Sequence, residues 1–444
     1  MEARPSVILT PPATTIGGRG EYPSRTAREQ CVARVAGGRY RGFAVAERKS
    51  LRVRPKIIAM GVAALALVAG AAMAAEPLPP AGAGILSWTP EQQLYGYRNM
   101  EKINPARVVR RGPHVRALPK AATQIDPKWT WNGRTWNVAS YMAGMRTSGV
   151  IVLKDGRIVL ERYGLGRTPA DRWTSFSVAK SVTSTLVGAA IQDGHIKSLD
   201  APVTDYIPEL KGSAYEGVTI RQLLTMTSGV KWNEDYSDPQ SDVAQAGQRI
   251  LEPGVNPIVS YMRRLPRADP PGAKWVYKTG ETDLVGVLVS NAVGAPLANY
   301  LSDKIWRPYG MEADGVWAED VSGHERGGSG ISMTLRDYAR FGQFMLEGGK
   351  AGGGEVLPPG WVADATSVHA KLPEGEGRGY GYFWWLFDGG YAAEGIFGQQ
   401  VFVYPKDHVV IAINSAWLHA DDDGDWAAQA RFGEALRDAA ANRK

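Results

Sequence analysis

Residues 150–163 form two β-rich runs that meet at Asp155-Gly156, a dipeptide that supplies the two left-handed residues of a tight hairpin turn. That hairpin commits the chain to an antiparallel sheet. Strand-like runs return only near the far end, at 379–387, 400–404 and 408–414, with turns at Asp388-Gly389-Gly390 and Pro405-Lys406-Asp407. Helical periodicity fills the interval. Val178, Val182, Leu186 and Ala190 fall four apart, which predicts a helix over 178–193 with one buried stripe, and further helical patterns cover 284–292, 335–346 and 426–440. The expected fold is therefore α+β: one antiparallel sheet flanked by helices, completed by the C-terminal segment, plus a helical insertion. An α/β part over 122–195 and 350–444 and a helical part over about 196–349 are expected, with the site in the cleft between them. A Pro, Gly and Ala rich lead-in over 76–121 reads as extended.

Charge is unevenly spread. Residues 1–75 hold 12 of the 51 Lys and Arg but 4 of the 45 Asp and Glu, which leaves 39 basic and 41 acidic residues in the body. The net charge of +6 thus belongs to the leader, and no basic face for nucleic acid is expected. Within the leader, Arg52, Arg54 and Lys56 precede an 18-residue apolar run over 57–74 that ends in Ala72-Met73-Ala74. That order is the one a secretory signal needs, so 57–75 is expected to direct export to the periplasm or beyond, an uncleaved membrane anchor being the alternative. Residues 1–56 are expected to be a disordered tail or the product of a start assigned too far upstream. The single cysteine, Cys31, lies before this run, so the exported chain would carry no disulfide.

Several hydrolytic chemistries are missing their signatures. No G-x-S-x-G elbow and no H-E-x-x-H occur, and the six histidines form no triad or metal pattern. The acidic run 421–425 has Trp426 where a calcium loop needs glycine, and reads as a solvated turn before the last helix. What remains is S-x-x-K, at Ser177-Val-Ala-Lys180 and at Ser228-Gly-Val-Lys231. Ser177 opens a helix, which puts Lys180 one turn away on the same face and leaves the Ser177 N–H free to donate to an oxyanion. Ser228 stands in a turn and has neither advantage. A serine hydroxyl needs a base, and a lysine among apolar neighbours can lose its proton near neutrality. The bland alternative is a helix cap beside a solvated lysine.

Four blocks then fall in order: Trp173-Thr-Ser-Phe-Ser-Val-Ala-Lys180, Leu223-Leu-Thr-Met-Thr-Ser-Gly229, Pro271-Gly-Ala-Lys-Trp-Val-Tyr277 and Gly330-Ile-Ser-Met-Thr-Leu-Arg-Asp-Tyr-Ala-Arg-Phe341. Together they resemble the serine β-lactamase and penicillin-binding superfamily over roughly residues 145–440, and more closely its class C β-lactamase-like esterases and 6-aminohexanoate-dimer hydrolases. The resemblance implies acyl transfer with Ser177 as nucleophile, Lys180 as base, and Tyr277, in a Y-x-T variant of Y-x-N or Y-x-S, exchanging protons with nucleophile and leaving group. It implies an oxyanion hole from the N–H groups of Ser177 and Ile396, with Gly395 as the glycine of the family's K-T-G strand. The Lys278-Thr279-Gly280 string is set aside for that role because a helical period follows it. Tyr236, in Asn233-Glu-Asp-Tyr236, and Thr279 are the implied substrate contacts. No metal and no cofactor are implied, and the partner is a small amide or ester rather than nucleic acid. Two departures matter. Ala393 falls where β-lactamases and DD-peptidases carry a lysine, which weakens a β-lactamase or D-alanyl-D-alanine carboxypeptidase assignment. Gly247 falls where the dimer-hydrolase branch can carry an acid for a substrate amine. A non-catalytic module sensing a peptide or cell-wall fragment is the reading from another class.

Overall fold

Asp155 (φ 50°) and Gly156 (φ 72°) are both left-handed, the geometry that lets a two-residue turn follow the right-handed twist of its strands. The structure, a computed structural model, describes residues 84–373 and 379–442, all within one unit spanning Ala72–Lys444. The apolar run over 57–74, the tail before it and Cys31 lie outside the described residues.

Along the chain come α1 (Pro90–Arg98), β1 (Ala106–Val109), the hairpin strands β2 (Thr147–Lys154) and β3 (Arg157–Tyr163), β4 (Arg172–Thr174), α2 (Val178–Gln192) and α3 (Thr279–Val293). Then follow β5 (Gly315–Ala318), β6 (Ile331–Thr334), α4 (Leu335–Leu346), β7 (Gly379–Tyr380), β8 (Trp385–Phe387), β9 (Gly390–Gly395), β10 (Gln399–Tyr404), β11 (Val409–Ser415) and α5 (Asp423–Ala441), with shorter pieces between. Seven strands form the antiparallel sheet in the order β7-β8-β9-β10-β11-β2-β3. The N-terminal hairpin therefore pairs directly with the C-terminal strand, as the strand runs at both ends of the chain predict.

Both faces of this sheet are covered, and the period of two sorts the side chains. Ile151, Leu153, Val401, Val403, Val410 and Ala412 join the core with α2 and α4, whereas Val150, Val152, Phe402, Tyr404, Val409, Ile411 and Ile413 pack with Phe432 and Leu436 of α5. Gly342 on α4 lets that helix settle on the strands, since a Cβ there would lie 2.5 Å from Val410 Cγ1.

Several expectations need correction. The lead-in is not simply extended. Thr89 and Gln92 form a reciprocal capping box with Pro90 at the first helical position, so 90–98 is a helix, and β1 pairs antiparallel with β5. The segment assigned to the helical insertion also carries β5 and β6 of a second, four-stranded sheet, and α4 packs on the large sheet. The run 379–387 is two short strands, because Gly381 to Trp384 turns between β7 and β8, with Phe383 at φ 59°. Asp422 accepts the Asp425 N–H at 3.0 Å, so the acidic run caps α5 and starts it earlier than Trp426.

The helix α2 departs from its predicted single stripe more instructively. Every residue from Val178 to Ala190 is buried. Its short hydroxyls find acceptors inside the protein: Ser181 Oγ donates to the Phe383 carbonyl and Thr183 Oγ1 to the Gly327 carbonyl, each at 2.7 Å. Polar residues that satisfy themselves in this way can line a fully buried helix.

Candidate active site

Ser177 is the N-cap residue of α2, delivered there by a kink at Phe176 (φ 44°) after the short strand β4. Lys180, one turn on, is 2% exposed and places Nζ 2.9 Å from Ser177 Oγ. The same ammonium donates to Thr279 Oγ1 and to the Gly328 carbonyl, both at 2.9 Å. Three donors thus meet three acceptors and the rotamer is fixed. Burial lowers the Lys180 pKa from 10.5 to about 8, while the nearby carboxylates of Glu234 and Asp283 hold it up. That displacement corresponds to roughly 3 kcal/mol against the charged form. Near pH 8 about half of the amine is free to take a proton, which an exposed lysine would not offer.

Tyr277 lies over this pair, with Lys180 Nζ 5.1 Å from its ring centroid. Its pKa is raised well above 10, first by burial and then by Glu234. The phenol therefore stays protonated at neutral pH. Trp385 stacks on the Tyr277 ring at 5.7 Å and Tyr380 meets it edge-on at 6.5 Å, an aromatic wall drawn from β7 and β8.

The remaining predicted residues divide. Thr279 is the first residue of α3 and touches the lysine directly. Tyr236 has its hydroxyl donate to Glu234 Oε1 at 2.9 Å and not to Ser177. Gly395 ends β9 against the turn that carries Ser177, where a Cβ would lie 2.6 Å from the Ser175 carbonyl oxygen and 2.9 Å from the Ser177 nitrogen. Ile396 follows it, half-buried. Ala393 is fully buried and brings no charge, and the next residue, Glu394, is bonded by Gln400 Nε2 at 2.6 Å. Gly247 occupies a left-handed loop position (φ 70°) beside a small cavity shared with Asp283 and Arg326. The second S-x-x-K does not assemble: Ser228 Oγ is spent on Glu281, and Lys231 is exposed. Lys278, fully buried and 3.8 Å from Glu281, is at the mouth of a helix and on no strand.

Two residues of the site escaped the sequence reading. Glu234 accepts the Thr279 N–H at 3.0 Å as well as the Thr279, Tyr236 and Trp232 donors. Asp283 accepts the Gly328 N–H at 2.7 Å and so orients the carbonyl that holds Lys180; burial raises its pKa. Glu234 stood inside the Asn233-Glu-Asp-Tyr236 block, and an acid two residues from both Trp232 and Tyr236 is the signal that could have marked it. Nothing local marks Asp283, because its partner is 45 residues away.

The chain at large resembles known proteins in the same terms. It is 32% identical over 367 residues to a 6-aminohexanoate-dimer hydrolase from Paenarthrobacter ureafaciens, covering 77% of this chain and 91% of that protein. Over 176 residues it is 29% identical to esterase EstB from Burkholderia gladioli, covering 36% of this chain and 44% of that one. Its fold superposes with a TM-score of 0.70 on a putative 6-aminohexanoate-dimer hydrolase from Bacillus anthracis, at 24% identity, covering 79% of this chain and 94% of that one. The beta-lactamase family profile matches residues 136–434, which takes in Ser177, Lys180, Tyr277 and Ile396, and the chain belongs to that family.

Proposed function

We propose that the protein is a serine hydrolase that cleaves amide or ester bonds of small substrates through an acyl-enzyme on Ser177. The observation that carries this reading is the 2.9 Å approach of Lys180 Nζ to Ser177 Oγ in surroundings that lower the lysine pKa to about 8. The neutral amine removes the Ser177 proton as Oγ bonds to the substrate carbonyl carbon. Charge developing on the carbonyl oxygen meets the N–H groups of Ser177 and Ile396. The proton passes through the Tyr277 phenol to the leaving amine or alkoxide as the carbonyl carbon releases it. Water then attacks the ester, giving its proton to Lys180 through the same relay, and the acid departs with Ser177 Oγ reprotonated.

Relatives named 6-aminohexanoate-dimer hydrolase and esterase support this substrate range. A β-lactamase or D-alanyl-D-alanine carboxypeptidase has to hold a substrate carboxylate, and the strand beside Ser177 offers neutral Ala393 and acidic Glu394 for that purpose. We therefore favour uncharged or amine-bearing substrates. A binding module without catalysis has no use for an amine held on a serine hydroxyl. The exported location expected from residues 57–75 would place this activity outside the cytoplasm. Fluorophosphonate treatment followed by mass spectrometry tests the reading: a single adduct on Ser177, absent from Ser177→Ala, is expected, and no adduct on the parent defeats it.

A further inference from the structure

The two N–H groups assigned to the oxyanion are each flanked by a phenylalanine in a conformation that a side chain of that size rarely adopts. Phe176 (φ 44°) directly precedes Ser177, and Phe397 (φ 60°) directly follows Ile396. Such residues keep left-handed backbone only where their surroundings leave them no alternative. Here the surroundings are aromatic. The two rings pack at 5.2 Å, and a third ring closes on both: Tyr97 of α1 meets Phe176 edge-on at 5.1 Å and Phe397 at 5.9 Å. It also meets Trp173 edge-on at 5.6 Å.

Tyr97 is fully buried, yet its hydroxyl has no hydrogen-bond partner among the described residues. The packing therefore uses the ring and ignores the hydroxyl. The helix that carries it is held from several directions. Trp88 folds back over Gly96, where a Cβ would lie 2.1 Å from the indole, and Gln93 Nε2 reaches the Trp417 carbonyl at 3.3 Å. Arg146 Nη2 holds the Pro90 carbonyl at 3.2 Å. On the other side the Phe397 N–H donates to the Ala420 carbonyl at 2.9 Å.

We propose that Tyr97 is a positioning residue for the oxyanion pocket: wedged against Phe176 and Phe397, its ring holds both left-handed residues, and with them the Ser177 and Ile396 N–H groups, in register. The inference rests on the acyl-enzyme reading above. It makes the lead-in helix a working part of the active site although no group on it meets substrate.

The experiment compares p-nitrophenyl acetate hydrolysis by the full chain and by its Tyr97→Phe, Tyr97→Leu and Tyr97→Ala variants, with circular dichroism to establish that each is folded at the assay temperature. Tyr97→Phe is expected within about twofold of the parent, and Tyr97→Ala is expected to lose roughly 10- to 100-fold in kcat with KM changed far less. The midpoint of the pH profile is expected to stay put, since Lys180 is untouched. A folded Tyr97→Ala that loses less than about threefold overturns the proposal. So does a Tyr97→Phe as impaired as the alanine variant, or a midpoint that moves with the loss. If Tyr97→Ala does not fold, Tyr97→Leu, which keeps bulk without a flat edge, decides by the same threefold line, taken as about the smallest meaningful change. Fluorophosphonate labelling keeps two failures apart. An unlabelled parent sinks the acyl-enzyme reading, whereas a labelled parent with indifferent Tyr97 variants sinks this inference alone.

Discussion

Glu234 accepts both the main-chain N–H of Thr279 and its hydroxyl proton, which leaves a lone pair of that hydroxyl facing the Lys180 ammonium. The threonine is thus a spacer between a carboxylate and a base, and its hydroxyl favours the charged form of the lysine. Thr279→Val removes that acceptor. Two effects are expected: a loss of roughly 10-fold in kcat as Lys180 loses one of its three tethers, and a downward move of the pH midpoint because the ammonium has lost a stabilising hydrogen bond. Thr279→Ser, which keeps the hydroxyl, should restore both. An upward move in the valine variant would contradict the arrangement.

In the proposed mechanism the base itself sets the pH dependence. Lys180 must be neutral to act, and burial lowers its pKa to about 8. Ester hydrolysis is therefore expected to rise with pH and level off above a midpoint near 8. Glu234→Gln takes away a negative charge that holds the lysine protonated, so its midpoint is expected to fall. Lys180→Arg keeps a cation that cannot give up its proton in the working range, and a loss of roughly 100-fold or more in kcat is expected. Steady-state rates from pH 6 to 10 check all three, and an arginine variant as fast as the parent would remove Lys180 from the mechanism.

Local chemistry explains how far the sequence could be read. The hairpin, α2, α3, α4 and the sheet closed by the C-terminal strand each follow from a turn dipeptide or a hydrophobic period, signals that sit within a few residues of what they specify. Ser177 and Lys180 share one helical turn, so their contact was legible as well. What was lost depends on partners far away in sequence. The burial of Ser181 and Thr183 needs the carbonyls of Phe383 and Gly327, and Asp283 is tied to Gly328, 45 residues away. The lead-in failed for a different reason. Its Pro and Gly content outweighed the capping box at Thr89 and Gln92, and the destination of Tyr97 is a cluster assembled from three separate segments.

Glu394 is expected to make the cleft discriminate by charge. Its pKa is raised to about 7, first by burial and then by Asp421, and its charge reaches Tyr277. Above that pH it is ionised in a site whose other near neighbours include Glu234 and Asp421. An aminoalkyl ester should be cleaved faster than the carboxyalkyl ester of the same length, by at least about 10-fold at low salt. Glu394→Gln should lower that ratio at least about threefold, and so should lowering the pH from 8 to 6 in the parent, with the Glu234 and Asp421 carboxylates keeping the rest of the preference. Because both esters use the same lysine, its titration cancels in the ratio. A preference that Glu394→Gln leaves intact would assign it to another residue.

Gly395 makes the sharpest steric case. Any side chain there meets two main-chain atoms of the nucleophile's own turn, the Ser175 oxygen and the Ser177 nitrogen, and neither can swing aside as a side-chain tip could. The strand must then retreat from the helix by several tenths of an ångström. Ile396 is the next residue, so its N–H retreats with it while Ser177, Lys180 and Tyr277 keep their mutual contacts. Gly395→Ala should therefore lose roughly 100-fold in kcat, the scale of one oxyanion donor, with a pH midpoint like the parent's. The overpacking itself should cost about 1–3 kcal/mol of stability, visible as a lower Tm. Fluorophosphonate labelling of Ser177 should slow in proportion to kcat, since its phosphoryl oxygen needs the same pocket. Labelling at the parent's rate alongside crippled ester turnover would mean that the glycine serves substrate access and not the oxyanion.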